Sequence, residues 1–290
     1  MVLSLKWYNF FMIRRLRPKL FWFLPIIILV IVFLFALFSC QNKTPKGNPL
    51  NVLFIGNSYT SVNSLPTIFQ EIAISAGYAR PVVKSSTPGG YTFQDHLASS
   101  ATRSIISSQH WDVVIMQEQS EVPAAAQTMP EVNKSFLSGF EGLYKLVKES
   151  NSEARVILFE TWARNADSWS NGTADPVRDG NNPSDMLQRL KTGYEEASQS
   201  MISQGEPPVE IARVGELWGI NYSSASPIRL HDSDGSHPDF AGSYLAALDI
   251  FSTVYGPITK DLNYRGTLGK NQADFLKNIM MRNFPEIQQP

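Results

Sequence analysis

Two short segments, far apart in this sequence, carry the side chains from which a nucleophile can be built. Ser58 follows the apolar run Asn51-Val-Leu-Phe-Ile55 and the break at Gly56. A serine in the turn after a buried strand lies on the rim where α/β proteins bind ligands. The same residue type also serves as a plain turn or cap residue. Near the other end stands Asp234-Gly235-Ser236-His237-Pro238. An imidazole can accept the proton of a serine hydroxyl, and a carboxylate on its second ring nitrogen fixes the tautomer and stabilises the imidazolium. The small Gly-Ser turn lets Asp234 and His237 meet locally; read alone, the pair is equally a solvated turn. Metal chemistry is the other option, because His231, Asp232, Asp234 and His237 are residue types that suit zinc. The segment also echoes a calcium loop but has Ser243 where the closing Glu belongs. A metal reading leaves the Ser58 segment unexplained, so no metal and no organic cofactor are expected.

The elements that must position these groups alternate along the chain. Short apolar runs over 51–55, 80–85, 111–116, 154–159 and 209–212 read as five buried strands. Between them lie stripes at helical spacing. Leu65, Ile68, Phe69, Ile72 and Ala76 form the first, with Ser64 as its cap, Pro66 in its first turn and Gly77 to end it. Phe136, Phe140, Leu143, Tyr144 and Val147 form another, and Met186, Leu190, Tyr194, Ala197 and Met201 a third. Pro238 and Asp239 open an amphipathic helix with Phe240, Tyr244, Leu248 and Phe251 facing the core. Strands alternating with helices predict a parallel sheet covered on both faces, with its ligand site at the carboxyl ends of the strands. Two long polar loops follow strand ends, Glu118 to Pro130 and Trp162 to Pro183, and loops of this length are usually functional or disordered. His96 reads as a structural histidine on a helix, and His110 falls at the amino end of the third strand, away from the site.

Val52-Leu-Phe-Ile-Gly-Asn-Ser58-Tyr-Thr, taken with Asp234-x-x-His237-Pro238, resembles the SGNH (GDSL-type) hydrolase superfamily in the order and spacing of its motifs. The resemblance covers residues 51–258. It implies a three-layer α/β/α, flavodoxin-like fold with a five-stranded parallel sheet. It also implies an ester hydrolase in which Ser58 is the nucleophile, His237 the base and Asp234 its orienting carboxylate. The family motif usually has Asp before Ser; Asn57 stands here, as in the Gly-Asn-Ser branch. No Gly-x-Ser-x-Gly surrounds Ser58, which sets the α/β-hydrolase elbow aside. Oxyanion donors are implied as well. A glycine after the second strand gives its N–H, and Gly90 of Gly89-Gly90-Tyr91-Thr92 takes that place. A side-chain amide after the third strand is normally Asn. Here the stretch is Gln117-Glu118-Gln119-Ser120, where Gln119 holds the matching position and Gln117 is the alternative. Glutamine carries the same NH₂ donor on a longer arm. The Ser58 N–H completes the hole, and losing one such donor typically costs about 10²–10³ in rate.

Composition bounds the rest. The chain has 290 residues, 43% hydrophobic and 18% charged, with a formal net charge of −1. That balance excludes a nucleic-acid partner, which needs basic excess. One cysteine excludes a disulfide framework. The near-neutral total hides an asymmetry. Five of the 25 basic residues (Lys6, Arg14, Arg15, Arg17, Lys19) precede Cys40 and no acidic residue does, which leaves 20 basic against 26 acidic residues, a net of −6, for the remainder. The basic cluster is followed by an uncharged apolar run from Leu20 to Phe38, long enough to span a bilayer. Residues 1–39 therefore read as a signal peptide or a signal anchor. Leu37-Phe38-Ser39-Cys40 resembles a bacterial lipobox, with Phe38 the departure from the pattern, and makes Cys40 the expected lipidation site. Residues 40–50 are the expected tether and 51–290 the hydrolase domain, exported and held at the membrane on the periplasmic face or cell surface. The expected activity is a serine esterase removing a small acyl group such as acetyl from a carbohydrate or other small-molecule ester. A non-catalytic glycan-binding lipoprotein and an O-acyltransferase are the alternatives.

Overall fold

A computed structural model of the chain describes residues 45–287. The targeting segment 1–39 and the lipidation site Cys40 lie outside the described residues. Five strands, β1 (Asn51–Ile55), β2 (Val82–Ser86), β3 (Val113–Met116), β4 (Arg155–Phe159) and β5 (Glu210–Ala212), form one sheet in the order β2-β1-β3-β4-β5. Every pairing is parallel. The unbroken apolar runs follow from burial on both faces. Val52 and Phe54 of β1, Val113 and Ile115 of β3, and Ile157 and Phe159 of β4 face one core. Leu53 and Ile55, Val114 and Met116, and Val156 and Leu158 face the other.

The second core is covered by α3 (Phe93–Ala98), α6 (Pro130–Ser150) and α8 (Pro183–Ser200). The first is covered by α2 (Leu65–Ser75), α9 (Val214–Tyr222), α10 (Phe240–Tyr255) and α11 (Lys270–Ile287). Short helices interrupt the connections: α1 (Ser58–Ser61), α4 (Ser100–Ile106), α5 (Val122–Ala125) and α7 (Asp167–Ser170). The two long polar loops thus each contain one helical turn.

Sequence and structure differ at several points. The second strand starts at Val82 rather than Arg80, because Pro81 has no N–H for the ladder and Val82 is the first partner of Asn51. Ser64 does not cap α2; it sits at a φ of 55° with no side-chain cap bond. The helix opened by Pro238 and Asp239, α10, is buried along nearly its whole length rather than amphipathic. The reason is α11, which no sequence expectation covered. Its Ala273, Leu276, Ile279, Met280 and Phe284 cover α10 from outside, and their spacing was legible as a helix. The expected tether is held to the domain from Lys46 onward. Lys46 N donates to Gly77 O at 2.8 Å, Ala79 N donates to Lys46 O at 3.2 Å, and the Lys46 ammonium lies 5.2 Å from the Tyr78 ring centroid.

Burial along α10 leaves Asp249 with neither carboxyl oxygen hydrogen-bonded. Desolvation drives its pKa from an ordinary 3.8 up to about 8, with Glu216 acting in the same direction and Arg213 opposing. A carboxyl that binds its proton more tightly when folded stabilises the protein below the unfolded pKa, and that stability is lost as pH rises toward the folded value. In Asp249→Asn this dependence is removed. Urea unfolding at pH 5 and pH 8 is expected to show the variant gaining at least about 1 kcal/mol on wild type over that interval. Parallel wild-type and variant pH dependence contradicts the assignment.

Candidate active site

The order β2-β1-β3 places a switch point between β1 and β3, where a parallel sheet opens a crevice beyond its strand ends. Register pairs Ile55 with Met116, so the turn after β1 lies beside Gln117. Gly56 is required there. A Cβ on it would fall 2.6 Å from Thr60 Oγ1 and 2.7 Å from Gln117 Oε1. The Gln117 carboxamide fills that notch and is fully used. Its Oε1 accepts from Asn57 N at 3.1 Å and Thr60 Oγ1 at 2.8 Å, and its Nε2 donates to Asn57 Oδ1 at 3.0 Å and to Glu118 O. Asn57 caps α1 by accepting from Tyr59 N, and its Nδ2 donates to Tyr91 O at 3.0 Å. Ser58 is thereby fixed at the first position of α1, half-buried, with its hydroxyl facing His237.

The histidine arrives on a hairpin. His231 and Pro238 form an antiparallel bridge, Asp232 N donates to His237 O, and Asp239 N donates to Leu230 O, both at 2.8 Å. Gly235 turns the loop at a φ of 71°, where a Cβ would meet Asn165 Oδ1 at 2.7 Å. Asp234 Oδ1 accepts from the amides of Ser236 and His237, each at 2.9 Å, and Oδ2 meets His237 Nδ1 at 2.5 Å. His237 Nε2 lies 2.9 Å from Ser58 Oγ. Desolvation opposes ionisation of Asp234, but the bonds from His237 and the two amides outweigh it and hold the carboxyl below its ordinary range. A hydroxyl on an imidazole that is itself held by a carboxylate can surrender its proton as it attacks an electrophile.

Aromatic packing fixes the hairpin against the nucleophile turn. The Tyr59 ring stacks on Trp162 at 4.5 Å between centroids, and Trp162 on Trp218 at 4.0 Å. Tyr59 OH lies 2.6 Å from Ser236 Oγ, and Trp162 Nε1 donates to Ser236 O at 3.0 Å. No spacing in the sequence announced this stack, because its three rings come from α1, the loop after β4 and α9. The two long loops are tied to each other beside it. Glu121 accepts from Arg164 at 2.8 Å and pairs with Arg178 at 2.7 Å, and Arg164 also meets Asp179.

The remaining candidates separate. Gly90 occupies the turn from Pro88 to Tyr91 at a φ of 74°, with nothing within 4 Å of a Cβ placed on it. Neither its N–H nor that of Ser58 is taken by another group among the described residues. Gln119 is half-buried; its Nε2 gives one hydrogen to Ser120 Oγ at 3.3 Å, leaving the second open. Gln117, the alternative donor, has no hydrogen to spare and is corrected to a structural clamp. His96 is buried and binds Thr102 Oγ1 and Gly56 O at 3.0 and 2.8 Å. Both His231 nitrogens are occupied elsewhere, meeting Tyr222 OH at 2.7 Å and Ala163 O at 2.9 Å. Burial depresses its pKa to about 4. With both nitrogens occupied, His231 is no ligand for the metal cluster that its neighbours suggest in sequence.

No protein-family model and no curated protein matches the sequence. Solved structures do share its fold. A DUF4886 family protein from Bacteroides uniformis ATCC 8492 aligns with a TM-score of 0.67 at 15% identity, over 83% of this chain and 97% of that one. The lipase Lip_vut3 from a goat rumen metagenome aligns with a TM-score of 0.51 at 11% identity, over 71% and 98%. The fold shared with these structures is a five-stranded parallel sheet between two layers of helices, the three-layer α/β/α architecture expected from the sequence.

The two glutamines are expected to behave differently. Gln117→Leu strands the buried Asn57 N–H and Thr60 hydroxyl and should lower unfolding stability by about 2–3 kcal/mol. Gln119→Ala should stay within about 1 kcal/mol of wild type. Equal urea midpoints for the two variants would contradict the clamp.

Proposed function

We propose that this protein is a serine esterase. The observation that carries the reading is the continuous hydrogen-bonded chain Ser58 Oγ, His237 Nε2, His237 Nδ1, Asp234 Oδ2. Ser58 attacks the ester carbonyl carbon while His237 takes its proton. The C–O bond to the alcohol breaks as the imidazolium returns that proton to the leaving oxygen. Water, deprotonated by His237, then releases the acid and restores Ser58. The N–H groups of Ser58 and Gly90 and the free N–H of Gln119 receive the oxyanion.

A large alcohol portion, and in particular a carbohydrate bearing a small acyl group such as acetyl, is the substrate this reading favours. A groove of about 1620 Å³ runs between α8 and α9. Its lining does not include Ser58 or His237. It begins at Arg164, Asn165 and Asp232, and two of these hold the histidine hairpin: Asn165 N donates to Gly235 O, and Asp232 N to His237 O. Gln188 and Ser184 offer polar atoms along it, and the Tyr222 ring, 41% exposed, is held rigid by its hydroxyl, which accepts from the amides of Leu230 and His231. A fixed aromatic face beside polar side chains suits a sugar better than an acyl tail. Export through the segment 1–39 and tethering at Cys40 complete the proposal and place the enzyme where extracellular glycans are met.

Full-length protein in detergent, offered a fluorophosphonate and a panel of acetylated polysaccharides, tests the reading. Labelling and deacetylation are expected in wild type, with turnover falling by about 10³-fold or more in Ser58→Ala. Unlabelled but folded wild type contradicts it and favours a glycan-binding protein. Acyl transfer to an added sugar instead of water identifies an acyltransferase.

Tyr222→Ala is expected to raise KM for an acetylated polysaccharide about five- to tenfold more than KM for nitrophenyl acetate, in line with the loss of one aromatic contact. Equal effects on both substrates contradict a sugar role for the groove.

A further inference from the structure

Glu118 takes no part in the Ser58–His237–Asp234 chain, yet it sits between the loops that carry the other two oxyanion donors. It is 1% exposed. None of the ion pairs among the described residues involves it. Two backbone amides meet its carboxyl group instead. Phe93 N lies 3.1 Å from each oxygen, and Gln119 N lies 2.6 Å from Oε1. Phe93 stands three residues beyond Gly90 on the same connection. The link between them is pinned at a second point, where Tyr91 O accepts from Asn57 Nδ2 at 3.0 Å. Gly90 is thus held from one side by the nucleophile turn and from the other by Glu118, and the same carboxyl group fixes the main chain at Gln119.

We propose that Glu118 is a positioning residue, whose buried carboxyl group holds the Gly90 and Gln119 loops in register with Ser58 through the Phe93 and Gln119 amides. The proposal rests on the esterase reading above.

Why a carboxyl group does this work follows from its surroundings. Its Oε1 accepts from both amides at once and Oε2 meets Phe93 N a second time, where a glutamine would set an NH₂ against that N–H. Desolvation raises the pKa to about 8; the Gln119 and Phe93 amides oppose that rise, and Asp95 of α3 adds to it. The other titratable group facing it is Tyr194 of α8, whose own pKa is raised by burial and by Glu118. At neutral pH the group therefore accepts hydrogen bonds without placing a charge beside a site that must receive an anion. Above about pH 8 it ionises, and the new negative charge opposes the developing oxyanion.

The rate of Ser58 labelling by a fluorophosphonate, measured on full-length protein across pH 6–10, tests this without knowledge of the substrate. In wild type the rate is expected to fall about fivefold or more from pH 7.5 to 9.5, with a midpoint near 8. Glu118→Ala, which takes the acceptor from both amides, is expected to label about tenfold more slowly at pH 7.5, and Glu118→Gln, which keeps a carbonyl for them, to show no alkaline fall. A wild-type rate that does not fall above pH 8 overturns the proposal, as does a Glu118→Ala variant with the wild-type rate or a Glu118→Gln variant with the wild-type profile. Should neither variant fold, the wild-type profile decides alone. Folded wild-type protein that takes no label removes the esterase reading itself, and the positioning role falls with it.

Discussion

One buried side-chain amide holds this site together. Gln117 stands at the first position beyond β3, and register sets it against the turn that follows β1. All four of its hydrogen-bonding positions are occupied, three by groups of the nucleophile turn. A buried amide of this kind stabilises only if every polar atom is matched, because an unmatched one leaves the full desolvation penalty in place. That requirement propagates. Gly56 has to be glycine so that the amide can approach, Asn57 has to present both an acceptor and a donor, and Ser58 is then placed with no freedom to turn away. The partner residues are held by Gln117 more than they hold themselves, since α1 is a single helical turn.

The histidine reaches Ser58 from the far end of the chain by a different device. A short hairpin fixes the spacing of Asp234 and His237 by itself, but a hairpin on the surface has no reason to point at Ser58. The stacked rings of Tyr59, Trp162 and Trp218 supply that reason. Tyr59, next to the nucleophile, bonds Ser236, next to the base, and Trp162 bonds the same residue from beneath. Flat rings in contact bury much area while tolerating few alternative arrangements. Specificity of geometry, more than stability, is what such a stack adds here.

Buried acidic groups recur around this frame, and Arg213 reaches only Glu160 among them, at 3.9 Å. Glu118 lies between the oxyanion loops, Asp249 inside α10, and Glu160, just past β4, leaves one oxygen without a hydrogen bond. Burial raises the pKa of each. Of the three, only Glu118 touches loops that bear on the chemistry; Asp249 and Glu160 lie under the face covered by α9 and α10.

What the sequence determined by itself was local. Apolar runs named the strands, helical stripes named four of the longer helices (α2, α6, α8 and α10), and Asp234-x-x-His237 implied a pair that meets across its own turn. These are matters of period and short-range spacing, which a linear string records directly. The identity of α10 as a buried helix, the role of Gln117 as a clamp rather than a donor, and the withdrawal of His231 from any metal cluster were decided only by tertiary structure. Each turns on what packs against a residue from a distant part of the chain: α11 over α10, Asn57 and Thr60 around Gln117, Tyr222 and Ala163 around His231. A glutamine reads the same in a sequence whether its amide hydrogens are free or spent, and only the folded neighbours spend them.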